Sequence, residues 1–263
     1  YAYDHEWINK TIYQNAYVRT DSYFDNSPLA SFGLPSKKEL ELLNVWKDEI
    51  PGEVFTETFT PPVTDGSGND RINLLKAKEI LEKEGWFVKN GKLYKDEKEF
   101  KFEFLIVSPS DEKIALAYQS NLKKLGITMN VRTVDSSQYQ ERLLSYDFDM
   151  IKRYWGVSLS PGNEQQFYWG SEVGQKDGSR NYPGINSPAV DALIEKLISA
   201  TNRKELTTAI HALDRVLLWG HYVVPLYHSN KDRIAYWDFF EYPDEIPLYG
   251  IVIESWWINK DKQ

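Results

Sequence analysis

Residues 99–155 read EFKFEFLIVSPSDEKIALAYQSNLKKLGITMNVRTVDSSQYQERLLSYDFDMIKRYW, and their periodicity decides the fold. Phe100, Phe102, Phe104 and Ile106 alternate with Lys101, Glu103 and Leu105, the period-two pattern of a strand over 99–107 with one apolar face. Ser108-Pro109-Ser110 breaks that strand and offers a cap to a helix whose stripe is Ile114, Tyr118, Leu122 and Leu125. Gly126 stands where a helix end takes positive φ. Residues 127–134 read as a second strand through Ile127, Met129 and Val131. Asp135 or Ser136 then caps a short helix with Tyr139, Leu143 and Leu144, and a third strand starts near Phe148. Crossovers of this length through helices predict parallel strands joined by right-handed connections, with ligands beyond the carboxyl ends of the strands. That places the binding surface near Trp155.

Upstream, residues 1–14 read as a helix with Trp7, Ile8 and Ile12 on its apolar side and no cap at its start, as if cut from a larger structure. Residues 15–35 read as an aromatic loop. Ser36 and Glu39 form a capping box for a helix to about Glu49, and the Pro-rich stretch 50–69 reads as extended loop. Asn69 or Asp70 caps a helix with Leu74, Ala77 and Leu81, ended by Gly85. Asn90-Gly91 between Trp86-Phe87-Val88 and Leu93-Tyr94 predicts a hairpin.

Downstream of Trp155, residues 156–187 are irregular and rich in Gly, with one short helix near 164–169. Loops of that length inside a domain are often functional. Ser187-Pro188 opens a helix buried through Val190, Leu193, Ile194, Leu197 and Ile198. A second, from about Arg203, carries Leu206, Ile210, Leu213, Val216 and Leu217. Residues 223–227 read as a short apolar strand. The tail from Ser229 holds Tyr236, Trp237, Phe239, Phe240, Tyr249, Trp256 and Trp257, too apolar to hang free.

The 263 residues carry a net charge of -8 with acids and bases interspersed, which argues against a nucleic-acid binder. There is no cysteine, hence no disulfide, thiol nucleophile or thiolate metal site. The 9 Trp, 17 Tyr and 12 Phe point either to a large core or to an aromatic-lined pocket. No apolar run has the length of a membrane span. There is no signal peptide, and a start at Tyr1 points to a processed or cut chain.

Chemistry-bearing patterns are scarce. His5, His211, His221 and His228 form no ligand spacing, and no GxSxG elbow, phosphate loop or dinucleotide fingerprint occurs. Asp147 and Asp149 have the composition of a glycosidase pair, yet they flank Phe148 at a strand start, where exposed acids are common. Trp155 is the stronger candidate. It stands at a strand end beside Arg153 and opens into the irregular loop, so an indole there covers an apolar group while the guanidinium pairs with a carboxylate. No catalytic residue, metal ligand or cofactor is expected.

Several segments together resemble one family. RINLLKAKEILEKEGW at 71–86, FKFEFLIVSPSDEKIALAYQSNLKKLGITMNVRTVDSSQYQERL at 100–143 and YDFDMIKRYWG at 146–156 look like extracellular solute-binding protein family 5, the peptide- and nickel-binding receptors of ABC importers. NSPAVDALIEKLISA at 186–200 and ALDRVLLWGHYVVPLYH at 212–228 fit as well. The opening AYDHEWINKTIYQNAYVRTDSYFDNSPLASFGLPS, at 2–36, resembles the subgroup associated with microcin C-type peptide uptake.

The resemblance implies an α/β lobe of the type II periplasmic-binding-protein kind, with a mixed, mostly parallel sheet flanked by helices. Residues 1–228 would be the second, carboxyl-terminal lobe of a two-lobed protein, and 229–263 a tail returning to the first. It implies capture of a peptide or peptide-like solute, a membrane permease with its ATPases as partners, and the periplasm or cell surface as location. The surface facing the other lobe allows self-association. Trp155 matches a cleft-lining Trp of the family. The acidic residue that holds a peptide's α-amino group three positions later is replaced by Ser158, with Glu164 the next acid downstream. Arg153, Tyr154, Asn181 and Tyr182 are further cleft candidates. The alternatives are a ligand-sensing domain of a regulator or a carbohydrate hydrolase.

Overall fold

The computed structural model describes residues 1–174, 176–248 and 250–262; Tyr249, counted above among the tail aromatics, lies outside them. Helix α1 (His5–Thr11) is shorter than expected and, against expectation, capped: the Asp4 carboxylate accepts from the Trp7 N–H at 3.0 Å. It stops because Gln14 and Asn15 take positive φ. Within the following aromatic segment, β1 (Val18–Arg19) pairs antiparallel with residues 227–228, a contact between positions too distant for local pattern to reveal.

Helix α2 (Lys37–Leu43) has the expected capping box, but the chain tightens into a 3-10 turn at Asn44–Trp46, well before Glu49. That turn lays Trp46 against the core. The Pro-rich stretch holds one helical turn, α3 (Glu53–Thr56), which inserts the fully buried Val54. Helix α4 (Arg71–Lys83) is capped by Asp70, and Gly85 follows it at φ +83°. The hairpin of β2 (Phe87–Lys89) and β3 (Lys92–Lys95) turns through Asn90 and Gly91, both at positive φ as a two-residue turn of this twist requires. A second turn of the same hand, at Asp96 and Glu97, leads to β4 (Lys98–Glu99).

The parallel unit follows as expected: β5 (Lys101–Ile106), α5 (Pro109–Lys124), β6 (Thr128–Thr133), α6 (Ser136–Leu144) and β7 (Met150–Ile151). The sheet order is β6-β5-β7 with every pair parallel. Phe104, Ile106 and Met129 pack with Ala115, Leu122 and Leu125 of α5 on one face. Leu105 and Val134 pack with Tyr139 and Leu143 of α6 on the other.

A second core lies between α7 (Glu164–Trp169), α8 (Pro188–Ile198) and α9 (Arg203–Trp219), and α2 and α3 pack on it. Leu193, Ile194, Leu197, Ile210, Leu213 and Leu217 are almost fully buried there. Burying such a side chain stabilises by about 1.5–3 kcal/mol. The segment expected as a strand over 223–227 is mostly irregular; only β8 (Tyr227–His228) pairs, with β1. The tail forms a small ladder of β9 (Phe240–Glu241) and β10 (Trp257–Ile258), and much of its apolar surface, Trp237 and Leu248 included, is exposed. Among the described residues no helix is long and apolar enough to cross a membrane.

Candidate ligand-binding site

The three parallel strands end together, and the residues just past their carboxyl ends make up the candidate site. β7 is only two residues long, so Lys152, Arg153, Tyr154 and Trp155 leave the sheet in succession. Asp111 comes from the first turn of α5, directly after β5, and Tyr139 from α6, directly after β6. The Tyr139 hydroxyl donates to the Lys152 carbonyl at 3.1 Å, which fixes where the outgoing chain starts.

Arg153 and Tyr182, both candidates from the sequence, are in contact: the guanidinium carbon lies 5.0 Å from the Tyr182 ring centroid, and Nη2 donates to its hydroxyl at 3.3 Å. Trp155 lies 6.3 Å from the same ring and 4.8 Å from Trp169 of the second core. Its Nε1 donates to the Arg180 carbonyl at 3.3 Å. The indole therefore bridges the two cores and is only half-buried. Tyr154 points outward, 86% exposed.

Ser158 is exposed, and its hydroxyl accepts from the Ser160 N–H at 3.1 Å. The Glu164 carboxylate accepts from the Gly162 N–H at 2.9 and 3.0 Å, so this acid is spent on its own loop. Asn181 is fully buried. Its amide donates to the carbonyls of Gly170 and Ile185 and accepts from the Ile185 N–H, at 3.0, 2.8 and 2.8 Å. Every polar atom of that side chain holds the loop together, so Asn181 shapes the site from behind and presents nothing to a solute.

Sequence reasoning missed the other half of the edge. Lys152 Nζ pairs with Asp111 at 2.5 Å, contacts the Tyr227 hydroxyl at 3.2 Å and lies 5.5 Å over the Tyr227 ring. The Tyr13 and Tyr227 hydroxyls are 2.7 Å apart, and Tyr17 packs 4.6 Å from Tyr227. Burial, with the hydrogen bond to Tyr227, pushes the Tyr13 phenol well above its ordinary range, so it stays neutral. The clue available in sequence was that Lys152 and Arg153 are adjacent at a strand end and so point to opposite faces.

Asp147 and Asp149 sit at the other, amino-terminal end of β7. Asp147 pairs with Arg142 at 2.8 Å, and the Asp149 carboxylate accepts from the Glu103 N–H at 2.8 Å. Both are engaged in holding the sheet edge, away from the aromatic site. His211 lies by Glu39 and His228 by Asp25. Among the described residues no group of three His, Asp or Glu is placed to hold a metal.

The model of the bacterial extracellular solute-binding proteins, family 5, matches residues 1–177. The chain is 41% identical over 99% of its length to the probable peptide-binding protein YejA of Agrobacterium fabrum, covering 43% of that protein. It is 40% identical over 98% of its length to the peptidoglycan-binding protein YepA of the same organism, covering 42% of it. The chain thus spans about two fifths of the length of the curated relatives it matches. The oligopeptide-binding protein AppA of Bacillus subtilis, solved with a nonapeptide, superposes with a TM-score of 0.64 at 24% identity. That match covers 98% of this chain and 46% of AppA.

Proposed function

The chain belongs to the bacterial extracellular solute-binding proteins, family 5, and on that premise we propose that it is the solute-capturing second lobe of an ABC importer's binding component, with peptides or peptide-like solutes as cargo. The observation that carries this reading is Trp155. A half-buried indole stands at the carboxyl edge of a parallel sheet, flanked by Arg153 and Tyr182, where open α/β sheets take ligands. The names of the relatives, one peptide-binding and one peptidoglycan-binding, favour the same cargo class.

On this reading residues 1–228 form the lobe, and the tail from 229 leaves it to pack on a first lobe. The exposed Trp237 and Leu248 and the aromatic cluster of Tyr236, Tyr242 and Trp256 favour such a covered tail. Capture needs no bond-making: closure of the lobes buries the solute between them. Delivery would be to a membrane permease with its ATPases, from the periplasm or the cell surface. Ser158 stands where the resemblance puts an acid, and the Glu164 carboxylate accepts from the Gly162 N–H, so neither favours an ordinary clamp on a peptide's free amino terminus. A modified or amino-blocked peptide is the cargo this favours, consistent with the microcin C-type subgroup. An isolated lobe would bind weakly and self-associate through the surface facing its partner lobe.

The test is calorimetric titration of the whole product of the reading frame that contains this chain, against mixed tripeptides and tetrapeptides with free or acetylated amino ends. Binding of both sets, lost in Trp155→Ala, is the expected result. Absence of binding to either set would remove peptides as the cargo.

A further inference from the structure

Away from the strand ends, Tyr3, Asp4, His5 and Arg19 form a group of polar side chains that the lobe itself does not satisfy. Arg19 stands opposite Tyr227 in the β1–β8 ladder, next to the pair of Val18 with His228. Its guanidinium carbon lies 4.8 Å from the Tyr3 ring centroid, and the Tyr1 amine is within its electrostatic reach. On the two-lobe reading the chain enters this lobe ahead of Tyr1 and leaves it after His228, so both crossings adjoin Arg19. Tyr3 and Asp4 are 4% exposed and His5 5%. Among the described residues, the Tyr3 hydroxyl, Asp4 Oδ2, His5 Nδ1 and the Arg19 Nε and Nη1 are sealed from solvent without a hydrogen-bond partner. Nearby acceptors are already in use: Asp4 Oδ1 takes the Trp7 N–H at 3.0 Å and the Thr64 hydroxyl at 2.6 Å, and Glu6 takes the Thr64 N–H at 3.0 Å.

A buried donor or acceptor without a partner is costly, and a cluster of them marks a surface that something covers. The chemistry of the cover follows from the atoms. Nε and Nη1 point to opposite edges of the planar guanidinium, so a single carboxylate does not meet both. Burial disfavours the Arg19 charge, but Glu6 and Asp4 already draw it back, so the group does not call for a further anion. Burial, and after it Arg19, holds the His5 imidazole below its ordinary range, and burial raises the Tyr3 phenol, so both are neutral. The donors of Tyr3 and Arg19 want acceptors, while Asp4 Oδ2 wants a donor. Main chain, with C=O and N–H groups alternating along one segment, supplies both without net charge.

We infer that Tyr3, Asp4 and Arg19 form a socket at the lobe junction for a main-chain segment of the first lobe, and that Arg19 latches the two lobes where the chain passes between them. This rests on the two-lobe reading proposed above.

The test is hydrogen exchange, read by mass spectrometry, on the whole product of the reading frame, wild type beside Arg19→Met and Tyr3→Phe. Tyr3→Phe keeps the ring under the guanidinium and removes one donor, so it reports even where Arg19→Met does not fold. In both variants one peptide from outside residues 1–263 should exchange faster, by at least about ten-fold in Arg19→Met and by less in Tyr3→Phe. That peptide contains the occupant. The tail peptides holding Trp237 and Leu248 should keep their protection.

Faster exchange confined to residues 1–263 overturns the inference, because the socket is then filled by solvent; a tail still protected leaves the two-lobe reading standing. Uniformly faster exchange across the whole product is global loosening and overturns the latch as well. A tail that exchanges freely in wild type removes the two-lobe reading, and the latch with it.

Discussion

Glu39 Oε2 and Arg215 Nε lie 2.7 Å apart, with 6% of each side chain exposed. The same guanidinium donates to the carbonyls of Gly33 and Phe32 at 2.6 and 2.9 Å, so α9 grips the segment that leads into α2. The neighbouring Asp214 does likewise, accepting from Ser22 and Ser31 hydroxyls and from the Tyr23 and Ser31 N–H groups. Two successive charges on one buried helix thus tie down residues 22–39. Removing one partner strands the other, which costs about 3–5 kcal/mol for a buried pair. Glu39→Gln is expected to fall in that range by urea unfolding at pH 7, and a loss under 1 kcal/mol would contradict the buried-pair account.

The same pair sets an acid limb. Burial by itself raises the Glu39 carboxyl, but hydrogen bonds from His211, Arg215 and Ser36 outweigh it and bring the group down to about 2 from an ordinary 4.5. A depressed carboxyl binds its proton more readily in the unfolded chain. Its contribution is therefore complete above about pH 4.5 and disappears as pH falls toward 2. Urea midpoints measured from pH 7 to pH 3 should drop more steeply for wild type than for Glu39→Gln. Parallel curves would show that Glu39 does not govern this limb.

These charges also mark where sequence reading stops. The unit from β5 to β7, the capping box at Ser36 and Glu39, the Asn90-Gly91 turn and the stripes of α8 and α9 were legible because each rests on local spacing. Asp214 and Arg215 interrupt the apolar stripe of α9, and only partners nearly 200 positions away make them core residues. The site divides the same way. Trp155 and Arg153 follow a strand end, a place that local pattern shows, and Tyr182, a candidate only through the resemblance, packs beside both. Asn181 moved behind the site because a buried amide satisfying three backbone groups looks, in sequence, like any polar loop residue. The Tyr13–Tyr227 contact, across 214 positions, had no local signal at all.

The Asn181 clip predicts a stability effect with a second witness. Asn181→Ala leaves the buried N–H and C=O of Ile185 unpartnered, while the Gly170 carbonyl keeps the Gly174 N–H at 3.2 Å, so the loss is about 2–6 kcal/mol when each stranded group costs about 1–3. A Cβ added at Gly174 would come 2.6 Å from Asn181 Nδ2, so Gly174→Ala must push the same amide aside. Both variants are expected to lower the thermal midpoint, and the double variant to lose less than the sum, because each disables one clip. Additive losses would mean that the two residues act independently.

Lys152 and Asp111 are each partly exposed, at 28% and 16% of the side chain, so solvent weakens their attraction despite the 2.5 Å contact. A double-mutant cycle with Lys152→Met and Asp111→Asn should return a coupling of about 1 kcal/mol, reduced in 1 M salt. A coupling near zero would mean that solvent screens this ion pair completely.

Trp155 makes the sharpest separation of stability from binding. One side of its indole rests on Trp169 at 4.8 Å and belongs to the second core; Nε1 holds the Arg180 carbonyl; the rest is open at the sheet edge. Trp155→Phe keeps the stacking and drops the hydrogen bond, worth about 0.5–1.5 kcal/mol, so its thermal midpoint should shift slightly. Trp155→Ala removes the stacking as well, yet the residue is half-buried, and its loss should stay below the 3–5 kcal/mol of a fully buried Trp. Peptide affinity should respond in the opposite proportion: within about ten-fold of wild type for Phe, which still offers a ring, and beyond detection for Ala. If affinity instead tracks stability across the two variants, Trp155 is a core residue that touches solvent, and the cleft lies elsewhere on the edge.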